Sequence, residues 1–324
     1  MTVRDPLPSA LRTAPFTLES ARDHGLTLRM VRGRRYRRLF RRVYVCADVK
    51  LDLQTWVRAA MLVLPTDATV TGLTGLHARG IHVGPAWPLR FVTTHPHPVR
   101  RPRLEVSRVR LLPPGQHRCA SAAHCYVVAC ADLDLVDAVT AGDWLVHRGR
   151  VTLADLRTAP AAHREPGSRM ARRAAALVRQ RVESPRETHL RLLLVLAGLP
   201  EPECNVALGS GTAFIGRADL VYPEYFLIVE YDGRDHVDVQ AQWDRDLDRL
   251  DDFEDTRWGH VRVTKHRLRR PRDVVRRVHS KLVAHHYEGP APVFGPEWVA
   301  LFETLSAARR AAQTVSPRSW VPGQ

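Results

Sequence analysis

The chain has no apolar run approaching the roughly 18 residues of a membrane-spanning helix, and no long apolar segment follows Met1. The expectation is a cytoplasmic protein with neither a transmembrane helix nor a signal peptide. Cysteine is scarce. The five present form no paired framework, which fits a reducing compartment. Cys119, Cys125 and Cys130 lie close to His117 and His124, but the spacings match no zinc pattern. Cys125 and Cys130 sit among apolar residues and read as buried thiols. Internal repeats, a P-loop, a dinucleotide fingerprint and a Gly-x-Ser-x-Gly elbow are all missing, which removes the function classes they mark. Negative charge is short as well: 34 Asp+Glu face 49 Lys+Arg, for a net charge of +15. Such a balance favours a polyanionic partner over an acidic small substrate, although charge alone does not separate nucleic acid from a ribosome or an anionic lipid surface.

What is present is a chain of 324 residues, 44% hydrophobic, too long for one compact core. A multi-domain α/β protein of two or three domains is expected. Near the start, Thr17 can cap a helix over Ala21 to Gly25, with Glu19 in its first turn. Leu26-Thr27 opens a second helix to about Arg35, and Tyr36 to Val45 reads as a β-hairpin. Arg29, Arg32, Arg34, Arg35, Arg37, Arg38, Arg41 and Arg42 interleave with Leu28, Val31, Leu39, Val43 and Val45. Helix, turn, helix and basic wing form a winged helix-turn-helix pattern that can set one helix in a major groove and arginines on flanking phosphates.

Residues 51–165 read as a second α/β region. Leu53 to Leu64 is helical and stopped by Pro65; Val70 to Ile81 is a Gly-rich helical piece. Leu89 to Thr94 and Leu104 to Leu112 are strands. Tyr126 to Ala131 is a strand or the start of a helix, and Asp132 to Val146 is a helix. A Pro/Ala/Gly-containing linker follows at Ala159 to Ser168.

The stretch from Ser184 to Lys265 carries the chemistry. Phe226 to Val229 is an apolar run ending in Glu230 and Asp232, which share one face of a strand. Ionised carboxylates beside a core need a partner, and a magnesium ion is one that fits. Asp219 supplies a third oxygen ligand from the preceding strand. It can equally be a solvated strand-end residue, and Asp232-Gly233 a hairpin turn. Glu187 fits a capping box in Ser184-Pro185-Arg186-Glu187, or joins the same cluster from the helix that follows. Trp243, Leu247 and Leu250 recur at helical spacing. Trp258-Gly259 leads into an alternating strand, His260 to Lys265, in which Val261, Val263 and Lys265 share a face. Lys265 is then either solvated or beside the carboxylates.

These motifs, taken in order, resemble a bacterial domain of unknown function related to very-short-patch-repair endonucleases, in the PD-(D/E)xK nuclease superfamily. The carriers are Ser-Pro-x-Glu on a helix, Ala-Asp-Leu-Val-Tyr-Pro, Val-Glu-Tyr-Asp-Gly with His236, Trp-Asp-Arg-Asp and Trp-Gly-His-Val-Arg-Val-Thr. The resemblance covers about Arg179 to His285 and implies a restriction-endonuclease-like αβ sandwich with magnesium-dependent phosphodiester hydrolysis. On that pattern Asp219 is the central metal ligand and Glu230 the acid of the Glu-x-Lys pair. Asp232 stands where the superfamily has lysine, so it, His236 or Lys265 would orient the attacking water. Arg262, Arg267, Arg269 and Arg270 would grip the nucleic-acid backbone.

Pro15 to Leu156 resembles more loosely the AbiEi type of abortive-infection antitoxin, which implies a winged helix and autorepression. In this chain Thr71-Gly72-Leu73-Thr74 replaces the usual Ser-His-x-Ser-Ala. The expected domains are residues 1–50, 51–165, 166–288 and 289–324. The expected function is that of a duplex-DNA-binding protein with a magnesium-dependent endonuclease domain. The alternative is a non-enzymatic, antitoxin-like repressor whose degenerate nuclease domain only binds. A toxin-like partner or a homodimer is compatible with either.

Overall fold

A computed structural model describes residues 9–162, 166–210, 213–232 and 258–305. The described residues form a mixed α/β structure with three sheets. The chain divides into two compact units, the first reaching Asp132 and taking in the short stretch around Gly167, the second holding Leu133 onward apart from that stretch. This division comes before the Pro/Ala/Gly-containing stretch at 159–168. No helix among the described residues is long and apolar enough to cross a membrane.

In the first unit, α1 (Ser9–Arg12) and β1 (Phe16–Thr17) lead into α2 (Leu18–Asp23). The Thr17 hydroxyl accepts from the Ser20 N–H and so caps α2. Thr27 does the same for α3 (Leu28–Val31) through Met30 N–H. This second helix is shorter than the expected run to Arg35. Its last turn closes on Gly33, whose N–H donates to Met30 O, and the chain then extends into β2 (Tyr36–Phe40). β2 and β3 (Val43–Cys46) form the expected hairpin, with Arg42 in the left-handed region (φ 66) at the turn. Strand order is β1-β3-β2.

The hairpin is apolar on both faces. Tyr36 and Tyr44 pack with Phe16, Leu18, Ala21 and Val31, whereas Leu39, Phe40, Val43 and Val45 pack with Trp56, Ala59, Ala60, Val70 and Phe91. The core therefore runs across residue 50, where sequence suggests a boundary. Helix α4 (Leu53–Met61) is capped by Asp52, and a five-stranded sheet follows in the order β6-β5-β4-β8-β7. Its strands are β4 (Thr69–Val70), β5 (Leu89–Thr93), β6 (Leu104–Arg108), β7 (Gly115–Gln116) and β8 (Cys119–Ala120), with α5 (Gly72–His77) after β4. The segment open to strand or helix is helical, α6 (Ala122–Ala129), capped by Ser121. Asp67 binds the end of β5: Thr93 and Thr94 hydroxyls and the Thr94 N–H all donate to its carboxylate. Led by the Thr93 hydroxyl, these bonds hold its pKa down at about 2.

The second unit starts with α7 (Leu135–His147), α8 (Leu153–Thr158) and α9 (Ser168–Leu177). Helix α10 (Pro185–Val195) is capped by Ser184, whose Oγ accepts from Glu187 N–H; the Glu187 carboxylate reaches back to Glu183 N–H, one residue before the cap and so one short of the expected capping box. A four-stranded sheet follows in the order β12-β11-β10-β9. Its strands are β9 (Glu203–Ser210), β10 (Ala213–Tyr222), β11 (Leu227–Asp232) and β12 (Gly259–Thr264). Neighbours are antiparallel except β11 and β12, which are parallel. The expected helix through Trp243, Leu247 and Leu250 lies outside the described residues.

Helix α10 packs on β10 and β11, and α11 (Pro271–Ala284) packs on β11 and β12. Within α12 (Pro296–Val299), Trp298 donates to Leu193 O and is sealed against Phe294 and Phe302. A charged cluster joins α7 to α10. Arg191 is fully buried between Asp143 at 3.1 Å and Glu201 at 2.9 Å, and Thr188 donates to the same Asp143 oxygen as Arg191. Burial opposes the Arg191 charge, but Asp143 and Glu201 more than offset it and its pKa is raised.

Candidate functional site

The register of the second sheet sets the candidate acids. β10 and β11 pair through Tyr222↔Leu227, Val221↔Ile228 and Leu220↔Val229. One step further brings Asp219 level with Glu230, at the point where the paired run stops. There the Asp219 carboxylate, rather than the β10 backbone, accepts the Tyr231 N–H at 2.8 Å. On β11, Ile228, Glu230 and Asp232 share a face by alternation. The parallel register places His260, Arg262 and Thr264 of β12 level with these three residues. Glu230 is bonded to His260 Nε2 at 3.0 Å, and Asp232 is ion-paired with Arg262 at 2.9 Å. All four side chains are partly exposed, with relative exposures between 17% and 36%.

The β12 residues level with the carboxylates are therefore Arg262 and Thr264, not Lys265. Val261 and Val263 stand level with Val229 and Tyr231 in the other row, and both are buried. The strand ends at Thr264, and exposed Lys265 follows it. Alternation marks His260 and Arg262 as the polar row of β12, and the parallel register sets that row, rather than the row of Val261 and Val263, level with the acids. Glu187 accepts from Asn205 Nδ2 at 2.7 Å as well as from Glu183 N–H. Asn205 lies between Cys204 and Val206, the partners of Leu220 and Ala218, and so stands level with Asp219. Glu187 is thus a capping residue whose carboxylate also reaches the strand beside Asp219. Nothing in the sequence marked Asn205. His236 lies outside the described residues.

The basic residues fall into two kinds. Arg29, Arg32, Arg34, Arg35, Arg38 and Arg41 are exposed, and so is Met30 among them. Arg42 is exposed but paired with Glu19 at 2.8 Å. Arg37 departs from the expected set, because its guanidinium is folded back onto the Val49 carbonyl and supports the hairpin. In the second unit, Arg262 holds Asp232 and Arg267 donates to the Arg262 carbonyl. Arg269 and Arg270 are exposed and line an open cleft of about 330 Å³ with Arg272, Asp273, Phe302 and Glu303.

Magnesium takes oxygen ligands, commonly one or two carboxylates with water and phosphate completing the shell. Asp219 and Glu230, hard donors on neighbouring strands, fit that ion in kind. Asp232 is held by Arg262 instead. Among the described residues, no group of three or more His, Cys, Asp or Glu side chains is arranged to hold a metal. Compared with known proteins, the chain matches no family model, no curated protein and no solved structure.

Proposed function

We propose that this is a duplex-DNA-binding protein whose second unit hydrolyses phosphodiester bonds with magnesium held by Asp219 and Glu230. The observation that carries the reading is the β10–β11 register, which sets two carboxylates level where the strands stop pairing. When bound there, magnesium supplies a positive charge for a phosphate oxygen and a bound water of lowered pKa. His260 would fix the orientation of the Glu230 carboxylate. Arg262 would neutralise Asp232, which limits repulsion among clustered acids. Exposed Arg269 and Arg270 would contact the backbone of the second unit's DNA. In the first unit, α2, α3 and the basic hairpin would form the winged helix-turn-helix, with exposed Arg29, Arg32, Arg34, Arg35, Arg38 and Arg41 on phosphates and bases.

The test is cleavage of supercoiled plasmid in magnesium by the wild type and by Asp219→Asn, which keeps an acceptor for Tyr231 N–H. Nicking by the wild type, lost in a folded Asp219→Asn, is the expected result. A second reading is favoured by the Asp232–Arg262 pair, which stands where the resemblance implies a lysine. It is a non-enzymatic, antitoxin-like repressor with a degenerate nuclease domain. Retained DNA binding with no cleavage and no calorimetric magnesium uptake selects it.

A further inference from the structure

The first unit contains two thiols that the DNA-binding reading does not use. Cys119 lies on β8 at the position paired with Val70 of β4, and Cys125 lies one turn into α6. The Cys125 thiol donates to the Ala120 carbonyl at 3.5 Å, next to Cys119 in the chain. One guanidinium nitrogen, Arg79 Nη1, reaches both sulfurs, at 3.3 Å for Cys119 and 3.6 Å for Cys125. Arg79 is itself fixed by bonds to the carbonyls of Gly75 and Ala120. Gly75 leaves room for this arrangement, since a Cβ there would meet Cys125 Sγ at 2.3 Å. The two thiols differ in access, Cys125 being buried and Cys119 only partly so.

Charge separates them further. The neighbouring Cys125 thiol and the Arg79 guanidinium outweigh burial and lower the Cys119 thiol. The neighbouring Cys119 and burial push Cys125 up instead. Burial pushes Cys130 and Cys204 up to about 12, so these are inert by comparison. The pair thus combines a partly exposed, arginine-stabilised sulfur with a buried, protonated thiol that meets the same guanidinium nitrogen.

We propose that Cys119 and Cys125 form a peroxide-reactive dithiol, with Cys119 the attacking thiolate and Cys125 the resolving thiol. In the first step the Cys119 sulfur attacks one peroxide oxygen and the O–O bond breaks. Sulfur is oxidised by two electrons to a sulfenic acid, and the departing hydroxide takes a proton to become water. In the second step Cys125 loses its proton and its sulfur attacks Cys119. The hydroxyl leaves with that proton as water, and a disulfide joins β8 to α6.

The test uses the full chain, reduced and then exposed to hydrogen peroxide, with peptide mass spectrometry. The expected product has lost two hydrogens and carries a Cys119–Cys125 link. Cys125→Ser should accumulate a dimedone-trappable sulfenic acid on Cys119, whereas Cys119→Ser should leave Cys125 unlabelled. Because the wild type is decisive, a variant that misfolds does not blunt the test. The proposal is overturned if peroxide leaves both thiols reduced, labels Cys125 first, or drives Cys119 to sulfinic acid without a link.

Discussion

The arginines around the basic hairpin of the first unit and a set of arginines in the second are used in opposite ways. Around α3 and the β2–β3 hairpin, six arginines stand exposed and without an ion pair among the described residues. In the second unit several arginines are ion-paired instead: Arg191 to Asp143 and Glu201, Arg262 to Asp232, Arg272 to Glu303 and Arg173 to Glu297. The same residue type is left exposed in one place and serves as a structural connector in the other. Local acid supply makes the difference. Glu19 is paired with Arg42, at the hairpin turn, and the arginines from Arg29 to Arg41 have no such partner among the described residues. An arginine without a carboxylate keeps its charge available to phosphate.

The sharpest test of the comparison is inside the second unit. Arg191→Met leaves Asp143 buried beside Thr188 without its cation, and removing one partner of a buried pair costs about 3–5 kcal/mol. Urea unfolding should show that loss, and a change below about 1 kcal/mol would mean the pair contributes no net stability. In the first unit, replacing Arg34, Arg35, Arg38 and Arg41 by alanine should leave stability nearly unchanged but weaken binding to every duplex. If about six phosphates are neutralised, log K falls against log salt with slope near −5, and each lost contact reduces that slope by about 0.9. Titrations at several salt concentrations measure it, and an unaltered slope would remove these arginines from the interface.

A smaller effect separates carboxylates held by hydroxyls from those held by arginine. Asp67 has a folded pKa depressed to about 2, so its stabilisation is complete above the unfolded value near 3.9 and is lost as pH falls toward 2. Asp67→Asn should flatten the acid limb of the stability curve, and parallel limbs for both proteins would contradict the assignment. The smallest effect is expected at Arg173–Glu297, where both side chains are about half exposed. Arg173→Ala should cost at most about 1 kcal/mol, and less in high salt.

Local signals were legible wherever a side chain acts within a few residues of itself. Thr17, Thr27 and Ser184 cap the helices their positions suggest, and Tyr36 to Cys46 forms a hairpin. The apolar run before Glu230 is a strand with buried residues from Leu227 to Val229. Alternation along β12 was also readable, but its phase relative to β11 was not. A parallel neighbour is reached through residues 233–257, and sequence spacing across that interval fixes no register.

Sequence by itself determined the charge balance, the helix caps, the strand segments and the identity of the candidate acids, because these depend on composition and on neighbours within a turn. Tertiary structure alone decided which partner each charged or reactive group meets. It assigned Arg262 to Asp232, folded Arg37 onto Val49, buried Arg191 against Asp143 and brought Arg79 to Cys119 and Cys125. Those partners lie between 12 and 48 residues apart in the chain. Only packing brings such groups within hydrogen-bond range, and desolvation there makes a satisfied partner obligatory.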